Sequence, residues 1–246
     1  MPTISDTVTT ADGTCPVTLA VPAGQGPWPG VIMYPDAGGT RATAVDMAAQ
    51  LADLGYAVLV PDVYYRSGDW APFVMETVFS DKSERQRLFS MIGSVTPDAM
   101  ASDARAFFDY LAARPEVTGE TFGTTGYCMG GRTSLTVAGR VPERVAAAMS
   151  FHGGGLATDD PGSPHLLADQ ITAAVYVGGA RDDASFTKAQ AKTLDDALTA
   201  AGVEHTIEWY PAEHGFAVPD NGPYDEAAAK RHWDAMKDFF GAHLVR

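Results

Sequence analysis

The chain has 246 residues and a formal charge of −14, with 46% apolar and 20% charged residues. This composition is long and apolar enough to bury one large core without staples, and it excludes a disordered or fibrous chain. The acidic excess argues against nucleic-acid and anionic-membrane partners, no apolar stretch reaches the ~18 residues of a membrane span, and two cysteines, Cys15 and Cys128, build no disulfide framework.

The start lacks the basic and apolar regions of a leader, so the expectation is one cytoplasmic domain over residues 1–246, a monomer or small homo-oligomer. Residues 3–21 alternate around Asp12-Gly13 and predict a hairpin of two exposed strands. A Gly/Pro loop, 22–29, leads into an apolar run, Gly30–Pro35, suited to a strand buried on both faces. Helical periodicity over Ala44–Leu54 stops at Gly55, and Tyr56–Pro61 is a second buried strand. Residues 62–96 read as an excursion over the sheet, with weak helical patterning at Phe73–Phe79 and Glu84–Ile92. Beyond it the spacing predicts helices over 97–113, 129–139, 187–201 and 224–244. Strands are predicted over 121–127, 145–151, 171–177 and 205–210. Strands alternate with helices, so the expected fold class is α/β, a mostly parallel sheet covered on both faces behind an N-terminal antiparallel hairpin.

The most informative segment is Gly126-Tyr127-Cys128-Met129-Gly130-Gly131, between a predicted strand and a predicted helix. Gly-x-Cys-x-Gly-Gly is the nucleophile-elbow pattern with cysteine in place of serine. The glycines allow a turn too tight for side chains, and the helix N-terminus aims N–H groups and a positive dipole end at the sulfur. A glycine-rich turn around a buried, inert cysteine is the plainer alternative. A nucleophile needs a base, and His214 follows the last predicted strand and precedes the last helix, where a triad histidine belongs. His152, in Phe151-His152-Gly153-Gly154-Gly155 just after a strand, either serves the structure of its own loop or overlooks the site and touches substrate. Asp182 and Asp183 follow another apolar strand; one would hold the His214 tautomer, or both would cap the helix from Thr187. The joint order cysteine, aspartate, histidine, each at a strand end, is more specific than any part and points to a nucleophilic hydrolase.

Over nearly its whole length the chain resembles the dienelactone hydrolase family of α/β-hydrolases. The resemblance rests on the cysteine elbow, Pro61-Asp62-Val63-Tyr64, Glu84-Arg85-Gln86-Arg87, Asp183-Ala184-Ser185-Phe186 and His214-Gly215-Phe216. It implies the α/β-hydrolase fold, with Cys128 as nucleophile, His214 as base and Asp183 as acid. The Met129 and Ala37 amides are the implied oxyanion donors. Asp36 stands where the family has a glutamate that hydrogen-bonds the resting thiol, and is one methylene shorter. Arg87 matches the first of two arginines that bind a substrate carboxylate in the family's chlorocatechol enzymes. The second should lie four residues after the histidine, at Val218. Half the clamp is therefore missing, and small neutral esters or lactones are expected to be better substrates than a carboxylated dienelactone.

No cofactor and no metal is expected, since no Cys/His cluster has ligand spacing. The competing readings are a non-catalytic member of the fold binding a hydrophobic ligand near Tyr64, Tyr65 and Trp70, and a thiol redox protein using Cys128, for which Cys15 is a poor resolving partner.

Overall fold

The computed structural model describes residues 3–244. An eight-stranded sheet has the order β1-β2-β4-β3-β5-β6-β7-β8. β1 (Thr3–Thr10) and β2 (Gly13–Ala20) form the antiparallel hairpin, with Thr10 opposite Gly13 at the turn. β2 joins β4 (Ala57–Pro61) antiparallel, and β3 (Trp28–Tyr34), β4, β5 (Val117–Tyr127), β6 (Val145–Phe151), β7 (Ala174–Ala180) and β8 (His205–Tyr210) run parallel to their neighbours.

Period-two alternation sorts the central side chains between two cores. Ile32 and Tyr34 of β3 face the helices α3 (Pro97–Ala112), α4 (Met129–Arg140) and α5 (Lys188–Ala200). Val31 and Met33 face α1 (Ala42–Asp53) and α6 (Glu226–His243). Both faces are thus covered, which is why β3 and β7 read as continuous apolar runs. The excursion after β4 has a third, small core in which Tyr64, Phe73, Val78, Leu88 and Met91 enclose Ala37 and Met129. It contributes one α-helix, α2 (Lys82–Ser94).

The chain leaves β3 towards β4 on one side and returns to β5 on the other, so a crevice opens between the carboxyl ends of β3 and β5. Such switch points are where open α/β sheets bind ligands.

Four expectations need correction. Residues 73–79 form no helix: 75–80 are turns, because Asp81 takes the extended cap conformation that starts α2 and blocks propagation. β5 starts at Val117, since Trp28 and Pro29 extend the ladder past a bulge. β7 is shifted to 174–180, because a 3-10 helix, Pro164–Gln170, closes on Ile171 and the glycines 178 and 179 stay paired with β8. The last helix begins at Glu226, capped by Asp225.

The elbow is the tightest point of the fold. A β-carbon on Gly130 would lie 2.2 Å from the Tyr34 carbonyl oxygen, and one on Gly126 2.1 Å from that of Gly130. Both obstacles are backbone and cannot rotate away. Gly130→Ala is expected to cost about 3 kcal/mol, on the order of 10 °C in thermal midpoint. Gly93, which has nothing within 4 Å of its missing β-carbon and lies in α2, is the control; Gly93→Ala should leave the midpoint unchanged or raise it slightly. Circular dichroism melts of the two variants check the contrast.

Candidate active site

Cys128 follows β5 directly and caps α4 with φ 53° and ψ −114°. A non-glycine residue in this region is strained, and here the close glycine contacts enforce it. Its amide donates to the Phe151 carbonyl at 3.1 Å, and its own carbonyl accepts from Gly131. The side chain is half-buried at the head of the helix. Among the described residues two other non-glycine residues have positive φ, His152 and Asp182, and they follow β6 and β7. The strained backbone of the described residues is therefore concentrated in the loops around one crevice.

Asp183 and His214 meet there. Asp183 Oδ2 lies 2.7 Å from His214 Nδ1, while its Oδ1 accepts from the Ser185 amide at 2.8 Å and the Ser185 hydroxyl at 2.6 Å. Burial opposes ionisation of Asp183, but the hydrogen bonds from His214 and Ser185 outweigh it and hold the carboxyl down at about 2. Burial likewise opposes the charged imidazole of His214. The Asp183 hydrogen bond and the adjacent Cys128 sulfur outweigh that and push it up to about 10. Asp182 is 92% exposed and its nearest cation is Arg181 at 3.8 Å, so the two aspartates have separate environments. Ser185, which sits 3.2 Å from His214 Nδ1, was not anticipated; its signal was the Asp-x-Ser turn within the quoted motif.

Cys128 and His214 line a cavity of ≈ 300 Å³ together with Ala37, Asp36, Met75 and Phe79. No lysine or arginine is among the described residues lining it. Among the described residues, no protein acceptor is found for the amides of Ala37 and Met129. Ala37 lies beyond the end of β3 and lines the cavity, and Met129, the first residue of α4, directly follows Cys128.

Four of the expected site residues stand differently. Arg87 is not at this cavity. It pairs with Glu84 at 2.6 Å, donates to the Ala71 carbonyl and lies over the Phe73 ring, beside a separate depression. Tyr64 is fully buried and cannot touch substrate; its hydroxyl donates to the Ala37 carbonyl at 2.8 Å and lies 3.6 Å from Met129 Sδ. His152 is also fully buried, with neither ring nitrogen hydrogen-bonded, packed edge-on against His214 and Phe216. Burial, and then His214 beside it, hold its imidazole well below the ordinary value, so it is a neutral wall of the site.

Asp36 is the fourth. Its carboxylate is buried and makes no hydrogen bond to Cys128 among the described residues. It accepts from Arg41 at 2.6 and 3.1 Å, from the Gly38 amide and from Asn221 at 3.0 Å. Arg41 also grips Asp220 through two nitrogens, each at 2.7 Å, and Thr43 donates to the same carboxylate. Arg41, Asp220 and Asn221 were missed as a group because 179 residues separate the ends of the pair. Val218, at the expected second clamp position, is buried.

The described residues hold no cluster of three or more metal-ligating side chains. No helix among them is long and apolar enough to cross a membrane.

The family model of the dienelactone hydrolase family matches residues 15–244. A protein of Synechocystis sp., provisionally named a carboxymethylenebutenolidase, is 29% identical over 92% of this chain and 91% of its own. A crystal structure of a provisionally assigned dienelactone hydrolase from Klebsiella pneumoniae superposes with a TM-score of 0.83, at 26% identity over 99% of this chain and 100% of that one. Another, the dienelactone hydrolase-like promiscuous phosphotriesterase P91 from metagenomic libraries, superposes with a TM-score of 0.77 at 28% identity over the whole of both chains. With an eight-stranded α/β-hydrolase sheet and a match over nearly all its residues, the chain belongs to the dienelactone hydrolase family of hydrolases.

Proposed function

We propose that this protein hydrolyses small neutral esters or lactones through an acyl-enzyme on Cys128, with His214 and Asp183 completing the triad. The observation that carries the reading is that the strained Cys128, His214 held by Asp183 at 2.7 Å, and Ala37 line one cavity, with Met129 next in the chain to Cys128. In this scheme the Cys128 thiol gives its proton to His214, the thiolate attacks the carbonyl carbon, and the carbonyl π pair moves onto the oxygen, held by the Ala37 and Met129 amides. The oxyanion collapses, the bond to the leaving oxygen breaks, and His214 gives that oxygen its proton. Neutral His214 then takes a proton from water, whose oxygen attacks the thioester. Collapse releases the acid and returns the sulfur. Asp183 fixes the ring and supports its charged form throughout.

The test is replacement of the sulfur. Cys128→Ala is expected to abolish ester hydrolysis in a folded protein, and Cys128→Ser to keep a small fraction, since a hydroxyl is smaller and less acidic. Unchanged turnover in folded Cys128→Ala overturns the reading.

Asp183→Asn should lower kcat by ~10²–10⁴, while Asp182→Asn, a change at an exposed side chain, should do much less. The pH profile gives a sharper check. The Asp183 carboxylate favours the imidazolium, so kcat/KM should fall as pH rises through about 10, where His214 loses its proton. Asp183→Asn removes that support, so its falling limb should move to lower pH. A limb that stays in place contradicts the assignment.

The cavity wall supports neutral substrates. It offers no lysine or arginine among the described residues, and Glu76 adds a negative charge. A carboxylated lactone would therefore forgo a charge-assisted contact, a loss of about 1.5–3 kcal/mol or roughly 10–100-fold in affinity. Across matched neutral and carboxylated esters and lactones, kcat/KM should favour the neutral member. A higher value for dienelactone would contradict this. A neutral phosphotriester belongs in the same panel.

A further inference from the structure

The triad leaves a second set of buried polar contacts unused. The loop after β3 carries Ala37, and it is held from two sides. From below, the Tyr64 hydroxyl donates 2.8 Å to the Ala37 carbonyl and sits 3.6 Å from Met129 Sδ, so one side chain touches both residues assigned above as oxyanion donors. From the flank, Arg41 bridges Asp36, the neighbour of Ala37, to Asp220, six residues beyond His214. Asn221 closes the same link by donating to Asp36 at 3.0 Å. The Arg41 side chain is only 8% exposed, and both carboxylates receive it in bidentate fashion, the arrangement that fixes orientation as well as charge.

We propose that Tyr64 and Arg41 are positioning residues that hold the Ala37 amide in the oxyanion site and in register with the His214 loop. The proposal rests on the reading of Cys128 as nucleophile. Its chemistry is geometric. The Ala37 amide does most when charge develops on the carbonyl oxygen, and a donor displaced by a fraction of an ångström loses that differential contact. Arg41 is spent on two internal anions. Asp36 is correspondingly spent on Arg41 and Asn221, which turns the position expected to serve the thiol into part of the scaffold.

The experiment compares two reactions of one sulfur. Ester hydrolysis passes through an oxyanion; alkylation of Cys128 by iodoacetamide does not. Cys15 is buried, its thiol pushed up to about 12 by burial, and Cys128 labelling is read on its own peptide by mass spectrometry. Tyr64→Phe removes one hydroxyl from a packed ring, and Asp220→Asn loosens the flank while leaving the Arg41–Asp36 pair. Arg41→Met, which strands two carboxylates, is kept as the severe variant. For Tyr64→Phe and Asp220→Asn, kcat and kcat/KM are expected to fall together by about 5–50-fold, KM to stay within about twofold, and the alkylation rate to stay within about twofold. Arg41→Lys should recover part of what Arg41→Met loses. Unchanged kcat in both mild variants, or a parallel loss of hydrolysis and alkylation, overturns the proposal. If Cys128→Ala still hydrolyses ester, the nucleophile reading fails instead, and the two failures are distinguishable.

Discussion

The backbone of α4 enters the crevice at a separation that no side chain permits. The Gly130 α-carbon lies so close to the Tyr34 and Pro35 carbonyls that even a methyl group would overlap them. From that contact follow the sharp turn after β5, the left-handed φ of Cys128 and the helix N-terminus directed at its sulfur. The two central strands are held level there, Tyr34 opposite Gly126, so the loop after β3 and the elbow after β5 open onto the same space. Strain of this kind persists only where the surroundings over-determine it, and the buried apolar residues on both faces of the sheet supply that.

Around this contact the charges are distributed in two closed groups. Asp183 and His214 form one, linked to the sulfur. Asp36, Arg41 and Asp220 form the other, satisfied internally and carrying a net negative charge. The imidazole of His152, buried and neutral, separates the first group from the interior. The stability consequence has a definite sign. The raised His214 contributes stability that is fully present below its ordinary value of 6.5 and is lost as pH rises through about 10; lowered Asp183 contributes stability present above 3.8 and lost as pH falls towards about 2. The pair therefore contributes in full between pH 3.8 and 6.5.

What the sequence disclosed and what it hid have physical reasons. The elbow was legible because glycine spacing records a backbone constraint locally, and the mostly parallel, doubly covered sheet was legible because fully buried parallel strands are continuous apolar runs. His214 and Asp183 were legible through their places after strands. The choice of Asp183 over Asp182 came from the family resemblance, and burial separates the two in the structure: 8% exposed against an exposed neighbour. Arg41 with Asp220 was not legible, because only the folded chain brings the two loops together. Tyr64 and Arg87 were misplaced for a related reason. Aromatic residues in the excursion suggested ligand contact for Tyr64, and the family resemblance suggested a carboxylate contact for Arg87, but here the excursion builds a small core of its own: Tyr64 points inward at Ala37, and Arg87 is consumed by Glu84 and Phe73.

Every step of the proposed reaction depends on Cys128 carrying the acyl group. Rapid mixing with a slowly deacylating p-nitrophenyl ester, followed by acid quench and peptide mass spectrometry, tests it most directly. A burst of about one nitrophenolate per chain is expected, with a matching acyl mass on the peptide containing Cys128 that is lost again as product forms. Linear release with no acylated peptide, or an acyl mass on a different residue, would contradict it.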